Sequence, residues 1–324
     1  MFQSIWEDVK REFSYGNMIT QIIIVNAAVF VLMGFVSVFL FFSSENAEAA
    51  RESFVAFQRW FSMSDSFLYN LTHPWVIFTH MFLHVGFMHI LFNMLWLYWF
   101  GRIAGDFLGN QRILPIYLLG GLAGALAYFL SAQVDGLPIG SYALGASAAV
   151  LAIITSAATT APNYYVNLLF IGSVKLKYIA AVFVLLDVFA IAQFSPNAGG
   201  SIAHLGGAAF GWLFVLMLRQ GTDLAVPVNA VMDSITNFFK ALFSPEKKPK
   251  QKTRKKPHVA YKNPNKQATQ NRSSRRSRSR NASDEKDLSH QEKVDAILDK
   301  IKRSGYESLS TAEKEYLFNA SKQD

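Results

Sequence analysis

Long apolar runs alternate with short, more polar connections along the first two thirds of the chain. An α-helix of about 20 apolar residues crosses the hydrocarbon core of a bilayer, about 30 Å thick, so these runs predict membrane-spanning helices. The pattern predicts an all-α, polytopic membrane protein whose membrane domain is residues 17–219. The six predicted spans cover about residues 18–42, 87–108, 114–131, 144–160, 178–193 and 202–218.

The rest of the chain predicts smaller parts around this domain. Residues 220–244 carry apolar residues at helical spacing and predict an amphipathic interfacial helix. Residues 245–283 are rich in Pro, Lys, Arg and Ser, with too few apolar residues to bury a core, so they predict a disordered linker. In residues 284–324, capping-box sequences that begin at Ser289 and Ser310 predict a small helical hairpin.

The long loop between the first two runs, residues 43–83, is rich in aromatic side chains. Such a loop could be partly embedded at the headgroup level or pack on itself above the bundle, and the two are compatible. At its start, residues 46–50 have the A-x-A form of a signal-peptidase site. A signal peptide has an apolar core of only about 7–15 residues. The first run is longer, so we expect it to be retained as a helix.

The distribution of Lys and Arg predicts the orientation. Six spans place both termini on one side of the membrane. The N-terminal segment, residues 1–16, and the loops on that side contain Lys and Arg, whereas residues 132–143 and 194–201 contain none. Because cytoplasmic loops are enriched in Lys and Arg, both termini are predicted to be cytoplasmic. We expect an integral, multi-pass protein of a bacterial plasma membrane.

The net charge of +8 comes from one segment. Residues 247–280 contain fourteen Lys and Arg and no Asp or Glu, so the remainder of the chain is net negative. A basic tail beside a bilayer is attracted to anionic lipid, with about 1 kcal/mol for each Lys or Arg near the surface. Phosphate groups of nucleic acid would attract the same charges. We expect lipid and no nucleic acid, because the tether keeps the membrane always within reach.

Polar residues within apolar runs are candidates for function, because lipid offers them no water. Ser147 opens the fourth run and His204 opens the sixth. A serine nucleophile needs a base, although a membrane serine often only bonds back to its own helix. If the two helix starts lie at the same depth, Ser147 and His204 form a dyad. Gly207 and Gly211 follow in a Gly-x-x-x-Gly pattern, which would let the fourth helix approach closely.

Three further donors and one acid complete the candidate site. His89 and Asn93 are four residues apart, hence on one face of the second span. With the backbone amide of Ser147, they could stabilise an oxyanion. Asp187, in the fifth run, could orient His204 or bond a neighbouring helix, and we favour the structural role.

His80 and His84 are also four residues apart, a spacing that pairs of zinc-binding histidines often have. Zinc requires three or four ligands. The chain has no cysteine, which also excludes disulfides and thiolate catalysis, and the nearby acids are only Asp65 and Asp106. We therefore expect no metal and no other cofactor. We expect His80 and His84 to hold the first loop onto the bundle by hydrogen bonds.

In their order and spacing, these residues resemble the rhomboid family of intramembrane serine proteases. The family pattern is His-x₄-His-x₃-Asn, then Gly-x-Ser, then Ala-His followed by Gly-x-x-x-Gly. Over roughly residues 60–218 this chain matches it with His84, His89, Asn93, Gly145, Ser147, Ala203, His204, Gly207 and Gly211.

The resemblance implies a six-helix rhomboid-like bundle with Ser147 as nucleophile and His204 as base. It implies an oxyanion hole of His89, Asn93 and the Ser147 amide. The substrates implied are single-span membrane proteins, cut near the outer membrane edge where their helix unwinds. The family dyad usually works without an acid, which again favours a structural role for Asp187.

Two positions depart from the family pattern. Leu151 stands where members often have a tyrosine that stacks on the histidine, and Trp75-Val76 stands where many have Trp-Arg. A catalytically silent rhomboid-like binder is the alternative function, but inactive relatives lack the serine or the histidine and this chain has both. A transporter would predict inverted repeats, which we do not find in the sequence.

Overall fold

The structure is a computed structural model in which two compact units lie within Met1–Lys250 and Gln251–Asp324. It describes residues 17–137, 139–168, 171–193, 195, 197–243, 297–301 and 308–320. The predictions for the N-terminal segment 1–16, for the linker 245–283 and for the capping box at Ser289 lie outside these residues. The two units are described separately below.

The first unit is mainly helical, and each of the six apolar runs forms a helix. Two 3₁₀ turns, His80–Phe82 and Asn110–Arg112, precede α5 and α6. The elements are α1 (Met18–Ser43), α2 (Ala47–Arg59), β1 (Met63–Ser64), α3 (Phe67–Thr72), α4 (Val76–Thr79), α5 (Phe87–Leu108), α6 (Ile113–Ser131), β2 (Tyr142–Ala143), α7 (Ser147–Thr160), β3 (Tyr165–Leu168), β4 (Gly172–Lys175), α8 (Leu176–Ala192), α9 (Ala198–Arg219) and α10 (Ala225–Phe243).

In the described part of the chain, three helical segments are long and apolar enough to cross a membrane: Met18–Ser43, Asn110–Ser131 and Ala198–Arg219. A fourth results if Val76–Phe82 and Phe87–Leu108, which meet at a bend of 91°, count as one span. Helices α7 and α8 have 14 and 17 residues, fewer than the approximately 20 of a typical span. The chain is thus a helical membrane protein, and the count of six spans stays a prediction.

Helix α7 is the centre of the first unit. Every residue from Ala148 to Ala158 is buried, and α5, α6, α8 and α9 surround the helix. Its side chains are mostly small, so neighbouring backbones come close to it. A helix enclosed by protein in this way does not need the length of a helix that faces lipid.

Glycines on both neighbours permit this close packing. A side chain at Gly207 would overlap the Ala148 carbonyl, and one at Gly211 would overlap the Ala152 carbonyl. A Cβ at Gly124 of α6 would lie 2.5 Å from the Ala148 Cβ and 2.7 Å from the Ala203 carbonyl oxygen of α9. Helix α7 therefore lies against the backbones of α6 and α9, which is the contact that the Gly-x-x-x-Gly spacing predicts for α9.

Two hydroxyl groups reinforce the packing of α7 on α9. The Thr155 hydroxyl lies 2.9 Å from the Leu151 carbonyl of its own helix and 3.0 Å from the Ala208 carbonyl of α9, and the Ser156 hydroxyl donates to the Gly211 carbonyl over 3.0 Å. Both side chains are buried, where an unpaired hydroxyl would be costly. The two helices are held at one register by these bonds.

The region predicted as one long loop is largely helical, because α2, α3 and α4 lie within it. The Asn46 side chain accepts a hydrogen bond from the Ala49 amide and so caps α2. Strand β1 pairs antiparallel with β2, Met63 opposite Ala143, and ties the region to the segment that precedes α7. Tyr69 stacks on His73 at 4.2 Å, while Phe67 is 67% exposed. The region both packs on itself and presents aromatic side chains outward.

Helix α10 and the second unit contain further polar contacts. The Arg112 guanidinium bonds the Asp223 carboxylate at 2.8 Å, immediately before α10.

In the second unit, residues 297–301 are helical and α11 covers Thr311–Ala320. The Ser310 amide donates to Glu313 over 2.8 Å and the Glu313 amide donates to the Ser310 hydroxyl over 3.3 Å. These two bonds form the capping box predicted there.

Candidate active site

A cavity of about 750 Å³ opens at the end of the bundle where α7 begins. Helices α5 to α9 and strand β2 all contribute to its walls. The cavity brings together residues that are far apart in sequence, from the second to the sixth predicted span. The site candidates that line it are His80, His89, Asn93, Gly145, Ser147, Asp187 and His204, whereas His84, Gly207 and Gly211 do not line it.

Ser147 and His204 are in direct hydrogen-bond contact. Ser147 is the first residue of α7, and its Oγ lies 2.6 Å from His204 Nε2. His204 lies in the second turn of α9, just before the glycines that pack on α7. The close packing of the two helices therefore places the hydroxyl beside the imidazole. In this geometry the imidazole can accept the hydroxyl proton when Nδ1 carries its own proton.

The other nitrogen of the same imidazole contacts an acid. His204 Nδ1 lies 2.9 Å from Asp187 Oδ1 on α8. The sequence favoured a bond from Asp187 to a neighbouring helix over a role at His204. In the structure both alternatives hold at once, because Asp187 bonds the neighbouring helix α9 through the side chain of His204.

Gly145 lies between the serine and His89. Its φ of +126° is in the region that favours glycine. An added Cβ would lie 3.0 Å from His89 Nε2 and 3.7 Å from Ser147 Oγ. The Gly145 amide donates to the His80 carbonyl over 2.9 Å. Glycine is therefore required here by backbone conformation and by the close approach of the His89 ring.

The three predicted oxyanion donors differ in their present contacts. The His89 ring flanks Gly145 beside Ser147 and lines the cavity. The Ser147 amide is at the start of α7, where helix amides lack an intrahelical acceptor. The Asn93 amide donates to the His89 carbonyl over 2.9 Å, which uses one of its two N–H groups within α5. Only the remaining N–H of Asn93 is available to a ligand in the cavity.

The expected hydrogen-bonding role of His84 stays a prediction. Neither of its buried ring nitrogens has a hydrogen-bond partner in the described part of the chain. Its ring packs edge-on against His89 with centroids 5.1 Å apart, so aromatic packing fixes it in place. His80 Nδ1 bonds the Val76 carbonyl at 3.0 Å, which lies in the first loop itself, so its predicted role of holding that loop on the bundle also stays a prediction. Within the described ranges, no three His, Asp or Glu side chains form a group that could hold a metal ion.

Both departures from the family pattern are buried residues. Leu151, one turn below Ser147, lines the cavity with an aliphatic side chain. Val76 is fully buried, and its neighbour Trp75 donates from Nε1 to the Trp60 carbonyl over 2.7 Å. Val76 thus contributes packing beneath the first loop.

Sequence reasoning missed Tyr128, near the end of α6. Its hydroxyl donates to the Gly140 carbonyl over 2.6 Å and its ring lines the cavity. It thereby fixes the segment that leads through β2 to Gly145 and Ser147. A tyrosine inside an apolar run was the available signal, because a buried tyrosine hydroxyl usually has a hydrogen-bond partner.

These observations define a helical membrane protein with a hydrogen-bonded Ser–His pair in a cavity at one end of its bundle. Residues 71–221 match the family described as "Rhomboid domain". Residues 71–221 thus form a domain of the rhomboid family. Residues 283–323 match a second family, of unknown function (DUF6576).

Curated relatives support the family assignment. The chain is 31% identical over 157 residues to "RHOMBOID-like protein 12, mitochondrial" of Arabidopsis thaliana, and the matched region covers 45% of this chain and 46% of the relative. It is 32% identical over 148 residues to "RHOMBOID-like protein 1" of the same plant, covering 45% and 35%. A shorter match, 40% over 48 residues, is to "Rhomboid protease GlpG" of Salmonella newport (strain SL254), covering 15% and 17%. The chain therefore spans less than half the length of each of these relatives.

Proposed function

We propose that this protein is an intramembrane serine endopeptidase, with Ser147 as nucleophile and His204 as general base. The observation that carries the proposal is the 2.6 Å contact between Ser147 Oγ and His204 Nε2 inside the cavity. A nucleophile within hydrogen-bond reach of a base is the basic requirement of covalent acyl transfer. The name "Rhomboid protease GlpG" of one relative supports the same chemistry.

The reaction follows from the positions of these groups. His204 takes the proton of Ser147 as Oγ attacks the carbonyl carbon of the scissile peptide bond. His204 then gives that proton to the departing amine, which leaves an acyl-enzyme ester on Ser147. His204 next activates a water molecule, which hydrolyses the ester and returns the hydroxyl to Ser147. Each proton that leaves one group is thus delivered to another.

The oxyanion of the tetrahedral intermediate needs donors beside Ser147. We assign this role to His89, Asn93 and the Ser147 amide. His89 has the strongest support, because its ring and the Ser147 hydroxyl both flank the Cβ position of Gly145. The amide of a first helical residue has no intrahelical acceptor, which supports the Ser147 amide.

We propose single-span membrane proteins as substrates, cut near the outer edge of the membrane. The cavity opens at the end of the bundle that the distribution of Lys and Arg predicts to face outward. The same rule places both termini in the cytoplasm of a bacterial cell, in a bundle of six spans. The basic tail would then lie beside the cytoplasmic leaflet and bind its anionic lipids.

A serine-directed fluorophosphonate probe tests the proposal most directly. We expect the purified, detergent-solubilised protein to be labelled and to cleave a single-span model substrate. Ser147→Ala should abolish labelling and lower cleavage by a factor of about 10⁴ or more, because the serine and the histidine act as a unit. His204→Ala should do the same.

Ser156→Ala is the matched control for this experiment. Ser156 lies on the same helix, and its buried hydroxyl bonds the Gly211 carbonyl outside the cavity. Labelling should persist in this variant. If Ser147→Ala cleaves at the wild-type rate, Ser147 is not the nucleophile. If the wild type neither reacts with the probe nor cleaves, but still binds the substrate, the alternative of a silent membrane-protein binder is supported.

A further inference from the structure

Asp187 is an unusual residue for its position. It is the only charged residue of α8 after Lys177, near the start of the helix, and its neighbours in sequence are Leu and Val. A carboxylate in such a helix is costly unless it has a partner. The partner here is His204 Nδ1 at 2.9 Å, and the Asp187 side chain is only 14% exposed.

The two contacts of His204 have complementary requirements. An ionised carboxylate can only accept a hydrogen bond, so the contact with Asp187 places a proton on Nδ1. The lone pair then lies on Nε2, the nitrogen that faces Ser147 Oγ at 2.6 Å. The acid thus selects the one neutral tautomer in which His204 can act as a base.

The packing of α9 fixes the backbone of His204 but not its ring. A Cβ at Gly206 or Gly207 would collide with α6 or α7, so the helix axis is tightly placed. The two side-chain torsions of His204, which set the direction of the ring, are not fixed by this backbone packing. Among the described residues, no aromatic ring stacks on His204, and its ring nitrogens bond only Ser147 and Asp187.

We infer that Asp187 is a positioning residue that holds the tautomer and ring orientation of His204 and stabilises the imidazolium formed during acyl transfer. The inference rests on the proposed function and extends its Ser–His dyad to a Ser–His–Asp arrangement. No group is added or lost at Asp187, because its carboxylate stays ionised while the proton moves between Ser147, His204 and the leaving amine. Since Asp187 lies on α8, the arrangement needs three helices to be in place.

Asp187→Asn in the full chain tests this inference. The amide has the size of the carboxylate and can still bond a neighbouring helix, so a purely structural role predicts an unchanged rate. Because the amide can donate as well as accept, it no longer enforces the Nδ1 proton. We expect kcat to fall by about 100-fold or more, less than the roughly 10⁴-fold known for a fully buried triad acid. KM and the midpoint of thermal unfolding should change little.

Two comparison variants and one spectrum complete the design. Asp187→Glu keeps a carboxylate and should recover part of the lost kcat. Asp106→Asn removes the same charge from an exposed position on α5, away from the cavity, and should keep the wild-type kcat. In ¹⁵N-histidine spectra, the His204 signal, assigned by its loss in His204→Gln, should show the Nδ1-protonated tautomer in the wild type and lose it in Asp187→Asn.

The outcomes separate this inference from the proposed function. Wild-type kcat in Asp187→Asn, or an unchanged tautomer signal, overturns the positioning role while Ser147→Ala remains inactive. Equal losses in the Asn and Glu variants together with a lower unfolding midpoint also overturn it, because they indicate a packing role. A wild-type rate in Ser147→Ala would instead overturn the proposed function and this inference with it.

Discussion

Helices α7 and α8 both reach the cavity, yet they are held in opposite ways. Helix α7 is buried along eleven consecutive residues and touches the backbones of both neighbours. Helix α8 is buried only at Leu176, Ile179 and Ala180, near its start, and its second half exposes large apolar side chains. Ser147 therefore lies on a helix that is enclosed by its neighbours, whereas Asp187 lies on a helix with few buried residues.

This difference indicates that the two helices have separate effects on His204. The backbone contacts between α7 and α9 set the distance between the serine and the imidazole. The side-chain contact from α8 sets which nitrogen of the imidazole carries the proton. Damage to the first should affect folding and catalysis together, and damage to the second should affect catalysis alone.

Gly211→Leu should have the largest effect, because it breaks the α7–α9 contact. The new side chain would overlap the Ala152 carbonyl and the Thr155 hydroxyl. The helices would have to separate, and a displacement of about 1 Å at the reacting groups can cost about 100-fold in rate. We expect a lower midpoint of thermal unfolding and no measurable cleavage. Both are measured on the same detergent preparation, by a thermal unfolding curve and by a cleavage assay. Full activity would show that this face of α9 does not pack as described.

A matched pair of aliphatic truncations compares the two helices directly. Ile153 of α7 is fully buried, whereas Leu186 of α8 is 61% exposed. Ile153→Ala leaves a cavity and should lower the free energy of unfolding by about 2 kcal/mol or more. Leu186→Ala should change it by less than about 0.5 kcal/mol. Chemical denaturation of both variants in the same detergent measures the difference, and similar losses would contradict the contrast between the helices.

The smallest expected effect concerns α10, outside the contacts that form the site. Partial burial opposes ionisation of Asp223 and by itself would raise its pKa. Hydrogen bonds from Arg112 and from the Ala225 amide, together with the positive charge of Arg112, outweigh this effect. The pKa of Asp223 is therefore below its ordinary value. A depressed carboxyl pKa contributes stability above the unfolded pKa, near 3.9, and this stability is lost as pH falls further. The protection of the amides at the start of α10 against hydrogen exchange, relative to the intrinsic exchange rate at each pH, should therefore fall below about pH 4. Asp223→Asn should abolish this pH-dependent loss of protection. An equal loss in that variant would assign the effect to another titrating group.

Elements that depend on local spacing were predictable from the sequence. Each apolar run forms a helix whose ends lie within about four residues of those predicted, which is the usual uncertainty of helix boundaries. Helix α7 begins at Ser147, two residues after Gly145, whose φ is positive. The capping box at Ser310 likewise depends on residues three apart.

Contacts between distant elements were harder to predict. The sequence marked Asp187 and His204 as unusual but could not place one beside the other, because the rotation of α8 about its axis is set by packing. Over short distances, it could not foresee that Asn93 bonds its own helix or that His84 packs against His89, because residue spacing does not fix the orientation of a side chain. The first loop was predicted without helices because its aromatic residues are its main feature in the sequence. The N-cap residues Asn46 and Ser66, which begin two of its helices, were overlooked.

The length of α7 has a consequence for biogenesis. Its 14 residues rise only about 21 Å, less than the hydrocarbon thickness, and it carries Thr155, Ser156, Thr159 and Thr160. Such a segment is a poor candidate for insertion on its own as it emerges from the ribosome. Its buried hydroxyls find acceptors on α9, which is synthesised some 50 residues later. We therefore expect Ser147 to reach its final depth only after α9 has entered the membrane, so that a nascent, incomplete bundle has no Ser147–His204 contact.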